Sequence, residues 1–156
     1  MRLYLDACCL NRPFDDPSID RNRLESEAVL TILRRIHRGN WQMIGSEAID
    51  IELGLSPNAD KRAATRGFLA LQADSVRPTE RIFVRADEVM QLGLTSMDAL
   101  HVACAEAGRC DVLLTTDDKM LKRLKRHASS LRVRVENPLE WITEQMTHDD
   151  HRNDTE

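Results

Sequence analysis

Short apolar runs alternate with helix-patterned stretches along nearly the whole chain, and this alternation limits the fold more than any other feature. Residues 2–6, carrying Leu3, Tyr4 and Leu5, read as a strand. WQMIG from Trp41, ended by Gly45, reads as a second, DVLLT from Asp111 as a third, and RVRV from Arg132 as a last. A short segment near Val76, ahead of Pro78, is a further candidate strand. Between them lie helical patterns. From Arg21 to Arg38 the residues Leu24, Ala28, Ile32 and Ile36 recur at helical spacing, until Gly39 and Asn40 stop them. Ser46 is suited to cap a helix carrying Ile49, Ile51 and Leu53. Further helices are predicted over 58–73, Thr79–Leu92, Ser96–Gly108, from Asp117, and over Pro138–Met146. The segment Asn11–Ser18, broken by Pro13 and Pro17, reads as a turn. Strands that alternate with helices build a parallel sheet covered on both faces. The expected fold is α/β, a three-layer α/β/α sandwich with a central parallel sheet. The expected domain spans residues 1–146, and the tail 147–156, nearly devoid of apolar residues, is predicted to be disordered.

The length of 156 residues suits one domain that buries enough surface to need no staples. Accordingly, Cys8, Cys9, Cys104 and Cys110 show no zinc spacing and read as reduced thiols. The net charge of −4 argues against a non-specific DNA coat, although a local basic patch remains compatible with it. No apolar run approaches the length of about 20 residues that spans a bilayer, and no secretory leader pattern opens the chain. A cytoplasmic location is expected.

The chemistry-bearing feature is a set of acids at element junctions. Ligands of open parallel sheets bind beyond the carboxyl ends of the strands. Asp6 follows the first strand and Asp117 follows VLLT, while Glu52 and Asp98 lie near the starts of helices. Each has a bland alternative. Asp117 suits a helix N-cap, Thr95 with Asp98 matches a capping box, and Glu52 could be a solvated acid. Asp6, between Leu5 and Ala7, reads as neither a cap nor the partner of a cation. Taken together the alternatives weaken. Two carboxylates about 4 Å apart repel by about 4 kcal/mol at an effective dielectric of 20, so a convergent set calls for a cation. Carboxylate oxygens suit hard Mg2+ or Mn2+, which can activate water against a phosphodiester.

Four blocks, LYLD ending at Asp6, SEAIDIEL around Glu52, SMDALHVACA around Asp98 and DVLLTTD ending at Asp117, resemble the signature blocks of PIN-domain nucleases. The resemblance spans residues 1 to about 140, and NRPFDD from Asn11 is similar to a subgroup of the family. It implies a PIN-like fold and a metal-dependent ribonuclease acting on single-stranded or structured RNA. Many relatives are the toxin half (VapC-type) of a bacterial toxin–antitoxin pair, so an antitoxin partner and a homodimer are implied as well. Carried over, Asp6 and Asp98 would bind Mg2+ or Mn2+ directly, Glu52 and Asp117 directly or through water, and Thr115 would support the site by hydrogen bonding. Ala7 and Cys8 stand where many relatives have a hydroxyl or amide residue, and Asn11 is the expected substitute.

Other residues are weighed against these. Asp50 lies two positions from Glu52, about 160° away round a helix. Glu47 and Asp118 read as solvated rim acids, and Asp111 as a turn residue at the opposite end of its strand. His101, three residues after Asp98, reads as a packed histidine ahead of a general base. Glu25 is expected to pair with bases along its own helix. The segment KRLKRH from Lys122, and Arg34, Arg35 and Arg38, suit either RNA phosphates or a solvated face. The alternative functions are a PIN-like module that binds RNA or protein without cutting, and a phosphatase or receiver-type domain. The latter would need a second acid near the first strand and a strand-end lysine, and neither is present.

Overall fold

A computed structural model describes residues 1–153. Five strands form one all-parallel sheet in the order β3-β2-β1-β4-β5: β1 (Arg2–Leu5), β2 (Gln42–Ser46), β3 (Gln72–Val76), β4 (Val112–Leu114) and β5 (Arg134–Glu136). The helices are α1 (Ala7–Asn11), α2 (Asp20–His37), α3 (Glu47–Gly54), α4 (Ala59–Leu69), α5 (Glu80–Met90), α6 (Ser96–Ala107), α7 (Asp118–Arg126) and α8 (Pro138–Asn153). The α/β sandwich expected from the alternation is therefore the fold observed.

Successive strands run outward from β1 in one direction, then restart beside it at β4. The carboxyl ends of β1 and β4 thus flank the point where the winding reverses, the place where open parallel sheets bind ligands. Register makes the junction exact at residue level: Leu5 pairs with Leu114, and the Asp6 amide donates to the Leu114 carbonyl at 3.0 Å. Leu3, Tyr4, Leu5, Leu113 and Leu114 are completely buried because helices cover both faces.

Helix ends follow local chemistry. At the end of α2, Gly39 adopts φ +84°, a left-handed conformation that costs glycine little. The Asn40 amide bonds the Arg35 carbonyl and the Gly39 amide that of Ile36, a Schellman closure. Ser46 caps α3, accepting from the Ile49 amide. Glu25 of α2 is buried, with Arg12 at 3.2 Å, Arg21 at 3.1 Å and Asn137 at 2.6 Å. The expected pairing along its own helix holds for Arg21, while Arg12 and Asn137 come from other elements.

Three expectations need correction. The residues behind Asp6 form the short helix α1 and a 3-10 turn over Arg12–Phe14 before the irregular segment. The helix predicted over 58–73 ends at Leu69, and Gln72 already belongs to β3, an edge strand too exposed to need apolar residues. The tail predicted as disordered from residue 147 continues α8 as far as Asn153, and residues 154–156 lie outside the described residues. Polar contacts carry this extension: Arg35 meets Asp149 at 2.8 Å, and Thr147 Oγ1 bonds back to the Thr143 carbonyl at 3.0 Å. Further back, Trp141 is buried edge-on against Trp41, with centroids 4.8 Å apart, and this anchors α8.

Candidate metal centre

Asp6 is the innermost acid of the junction. It closes β1 and, contrary to expectation, caps α1: its Oδ1 accepts from the Ala7 amide at 2.8 Å. It also has an ionisable neighbour, His101 Nε2, 3.6 Å from Oδ1. Its Oδ2 accepts from Thr115 Oγ1 at 3.1 Å and from Cys8 Sγ at 3.3 Å. Thr115 in turn accepts from the Asp117 amide at 3.2 Å, tying Asp6 to the loop that carries the last acid.

Cys8 occupies the place where support for Asp6 was in doubt. Its sulfur holds Asp6 and accepts from the Thr116 amide at 3.3 Å. Asn11, the expected substitute, sits at the far end of α1, and no hydrogen bond joins it to Asp6 among the described residues; its Oδ1 is buried without a partner. The thiol does what the amide was expected to do, because position 8 lies in the first turn of α1, over the ends of β1 and β4.

Glu52, in the last turn of α3, bonds His101 Nε2 at 2.8 Å. One atom each of Asp6, Glu52 and His101 lie within 4.8 Å of one another. Asp98 and Asp117 stand at the starts of α6 and α7 and line one cleft of about 210 Å³ with Thr95, Lys119 and Arg123. The expected caps are present too: Thr95 Oγ1 accepts from the Asp98 amide and Asp117 Oδ1 from the Met120 amide. Capping and convergence are thus compatible in both residues. A larger hollow of about 570 Å³ lies against β5 and carries none of these acids. Asp50 faces another hollow with Arg62 and Arg66, as its position round α3 requires. Asp118 and Glu47 pair with Arg21 and Arg77.

The acids feel one another. Burial, and then the charge of Glu52, push the Asp6 carboxyl above its ordinary range, against the pull of His101. Burial, then Asp6 and Asp117, do the same to Asp98. Burial depresses the His101 imidazole, but the Glu52 hydrogen bond and the charges of Asp6, Glu52 and Asp98 outweigh it, so its pKa is raised. Carboxylates raised by burial first and by neighbouring acids second form a site whose ionised state wants a cation. The acids offer carboxylate oxygens, a donor set that fits a hard divalent ion.

Sequence reasoning singled out Asp6 and Asp117 after strands and Asp98 near a helix start, as the structure places them; Glu52, expected near a helix start, stands instead in the last turn of α3. It weighed His101 as a general base and favoured a packed histidine; the ring is fully buried, yet its Nε2 bonds Glu52 and lies 3.6 Å from Asp6, so the residue belongs to the site as well as to the core.

The PIN domain family model matches residues 3–127, a span that takes in all four acids. No curated protein matches the chain. Two solved structures share its fold. A chain of VapBC2 from Rickettsia felis, bound to a DNA fragment from their promoter, is 18% identical with a TM-score of 0.53; 88% of this chain and 98% of that one are covered. A chain of VapBC-1 from nontypeable Haemophilus influenzae is 17% identical with a TM-score of 0.56, over 88% and 98% of the two chains. These likenesses show the fold, and the family match adds the lineage: the chain belongs to the PIN-domain family.

Proposed function

We propose that this protein is a metal-dependent endoribonuclease, the toxin of a type II toxin–antitoxin pair. The observation that supports this reading is that Asp6 and Glu52 offer oxygens within 4.8 Å of each other, while Asp98, which lines a cleft with Asp117, feels the charges of both Asp6 and Asp117. Asp6 and Asp98 would hold Mg2+ or Mn2+ directly, with Glu52 and Asp117 ligating directly or through water. When bound, such an ion supplies an activated water and neutralises charge developing on the scissile phosphate. The chain's own residues do the rest. Thr115 and Cys8 fix the direction of Asp6. Lys119 and Arg123 line the cleft beside Asp98 and Asp117, where they can meet the flanking phosphates of an RNA. Arg123 is itself steadied by the Gly93 carbonyl at 2.6 Å.

The resemblance to VapC-type toxins, and the shared fold with chains of two VapBC structures, support an antitoxin that covers this cleft and a homodimeric toxin. No helix among the described residues is long and apolar enough to cross a membrane, which accords with action on RNA in the cytoplasm.

The test is incubation of the purified chain with structured and single-stranded RNAs in Mg2+, in Mn2+ or in EDTA, beside Asp6→Asn. Cleavage is expected with metal and wild-type protein alone. Equal cleavage by the variant, or cleavage in EDTA, overturns the reading.

A further inference from the structure

We propose that His101 is a positioning residue for this centre: its imidazole, braced from behind by Tyr4, turns the Glu52 carboxylate toward Asp6. The inference rests on the metallonuclease reading and extends it to a residue outside the four acids.

The geometry is a chain of side chains across four elements, β2, β1, α6 and α3. Ser46 Oγ, which caps α3, lies 2.7 Å from Tyr4 Oη in β1. Tyr4 Oη lies 2.7 Å from His101 Nδ1 in α6, and His101 Nε2 lies 2.8 Å from Glu52 Oε2, back on α3. Tyr4, Ser46 and His101 are all fully buried. With Nδ1 occupied by Tyr4, the ring can present only Nε2 to the acids. A neutral ring accepts at Nδ1 from the phenol; a protonated ring donates there while the phenol turns its hydrogen to Ser46. Against an ionised Glu52, which can only accept, it is Nε2 that carries the hydrogen in both of these states. Glu52 itself is half-buried and comes from an eight-residue helix beside the sheet, so without this contact its side chain has several rotamers to choose from. Partners that orient a ligating carboxylate commonly change metal affinity by about ten- to a hundredfold when removed.

A packing role makes a different forecast. His101→Leu keeps the apolar contacts with the core, and Tyr4 Oη retains Ser46, so the variant leaves no hydroxyl unpartnered. His101→Gln retains an N–H that can reach Glu52. If the ring only fills space, leucine should serve at least as well as glutamine. If it positions Glu52, glutamine should serve better.

The experiment is calorimetric titration of Mn2+ into wild type, His101→Leu, His101→Gln and Glu52→Gln, with thermal melts of each metal-free protein as the folding control. Expected are binding by wild type, affinity about ten- to a hundredfold weaker in His101→Leu, and most of the loss recovered in His101→Gln. RNA cleavage should follow through kcat with KM little changed. Should His101→Leu fail to fold, His101→Gln set against Tyr4→Phe, which unbraces the ring, carries the comparison, with Tyr4→Phe expected to bind more weakly than wild type. Wild-type affinity in His101→Leu, or equal weakening by leucine and glutamine, overturns the positioning role. A wild-type protein that binds no Mn2+ overturns the metallonuclease reading itself.

Discussion

Asp6 and Thr115 face each other across the β1–β4 junction, Thr115 Oγ1 donating to Asp6 Oδ2 at 3.1 Å although 109 residues of chain separate them. The register that pairs Leu5 with Leu114 brings them there, since each is the next residue along its strand. The same hydroxyl accepts from the Asp117 amide, so one small side chain holds the first acid and the last in a fixed relation.

Thr115→Val keeps the shape and removes that link. The Asp6 carboxylate retains Cys8 and the Ala7 amide, while the part-buried Asp117 amide loses its acceptor. Destabilisation of about 1–3 kcal/mol is expected in metal-free melts. RNA cleavage should fall by about ten- to a hundredfold as Asp6 loosens. A variant with wild-type kcat would show that Thr115 serves the fold alone.

Part of this arrangement is legible in the amino-acid order and part is not. β1 and β4 announce themselves as apolar runs, and the acids that follow them stand where parallel sheets place ligands. α1 is hidden, because ACCLN continues the apolar run of β1 and is too short for periodicity to separate strand from helix. β3 is legible only as a short candidate near Val76, and its start at Gln72 is blurred into the preceding helix pattern, because as an exposed edge strand QADSV has no apolar face to advertise. Cys8 and His101 escape because their partners lie far off in sequence. Cys8 meets Thr115 across 107 residues and His101 meets Tyr4 across 97, contacts that only the packed sheet creates.

Asp6→Asn separates stability from function. The carboxylate is buried, and its ionised form is opposed by burial and by Glu52. An amide can still cap α1 through its one oxygen, and its NH2 can donate to the Thr115 hydroxyl once that hydroxyl turns its own hydrogen away, without a buried charge. The metal-free variant should therefore melt at or above the wild-type temperature. Mn2+ should stabilise wild type by RT ln(1 + [L]/Kd), about 2.7 kcal/mol at a hundredfold excess over Kd, and leave the variant unmoved. Equal Mn2+ stabilisation of both proteins would remove Asp6 from the ligand set.

Glu25 acts at a distance from the acids. Its buried carboxylate binds Arg21, which also holds the Thr116 carbonyl at 3.1 Å and Asp118 on either side of Asp117. Glu25→Leu leaves Arg12 and Arg21 without their shared partner. Arg12 keeps Asp15, and Arg21 is half exposed, so the loss should reach about 2–4 kcal/mol, at or below the range for a fully buried pair. Chemical denaturation measures this. Cleavage by the folded variant should also fall as the Asp117 loop slackens, whereas a purely global effect would lower Tm and spare kcat.

The metal-free protein should respond to pH in an unusual sense. Asp6 and Asp98 have raised folded pKa values, so the native state binds protons that the unfolded chain releases, and acidification toward an ordinary carboxylate value of about 4 stabilises it. His101, also raised, contributes stability that is fully present below its unfolded value of about 6.5 and is lost as pH rises through the folded one. Asp50, raised by burial and then by Glu47, adds in the same direction. Lys119 and Arg123 line the cleft beside Asp98 and Asp117, and the Asp98 carboxyl is raised even so, by burial first and then by the charges of Asp6 and Asp117. The lowered Asp16 and Asp118 are exposed, and their opposite contributions fade only as pH falls below about 4. In EDTA, Tm should therefore rise by a few degrees as pH falls from above neutrality to about 5, the scale of roughly 1 kcal/mol for a chain of this length. Saturating Mn2+ should invert the trend, because the ion binds the deprotonated carboxylates and protons then compete with it. A metal-free Tm that falls steadily on acidification from pH 8 would mean that the acids do not crowd one another at the β1–β4 junction.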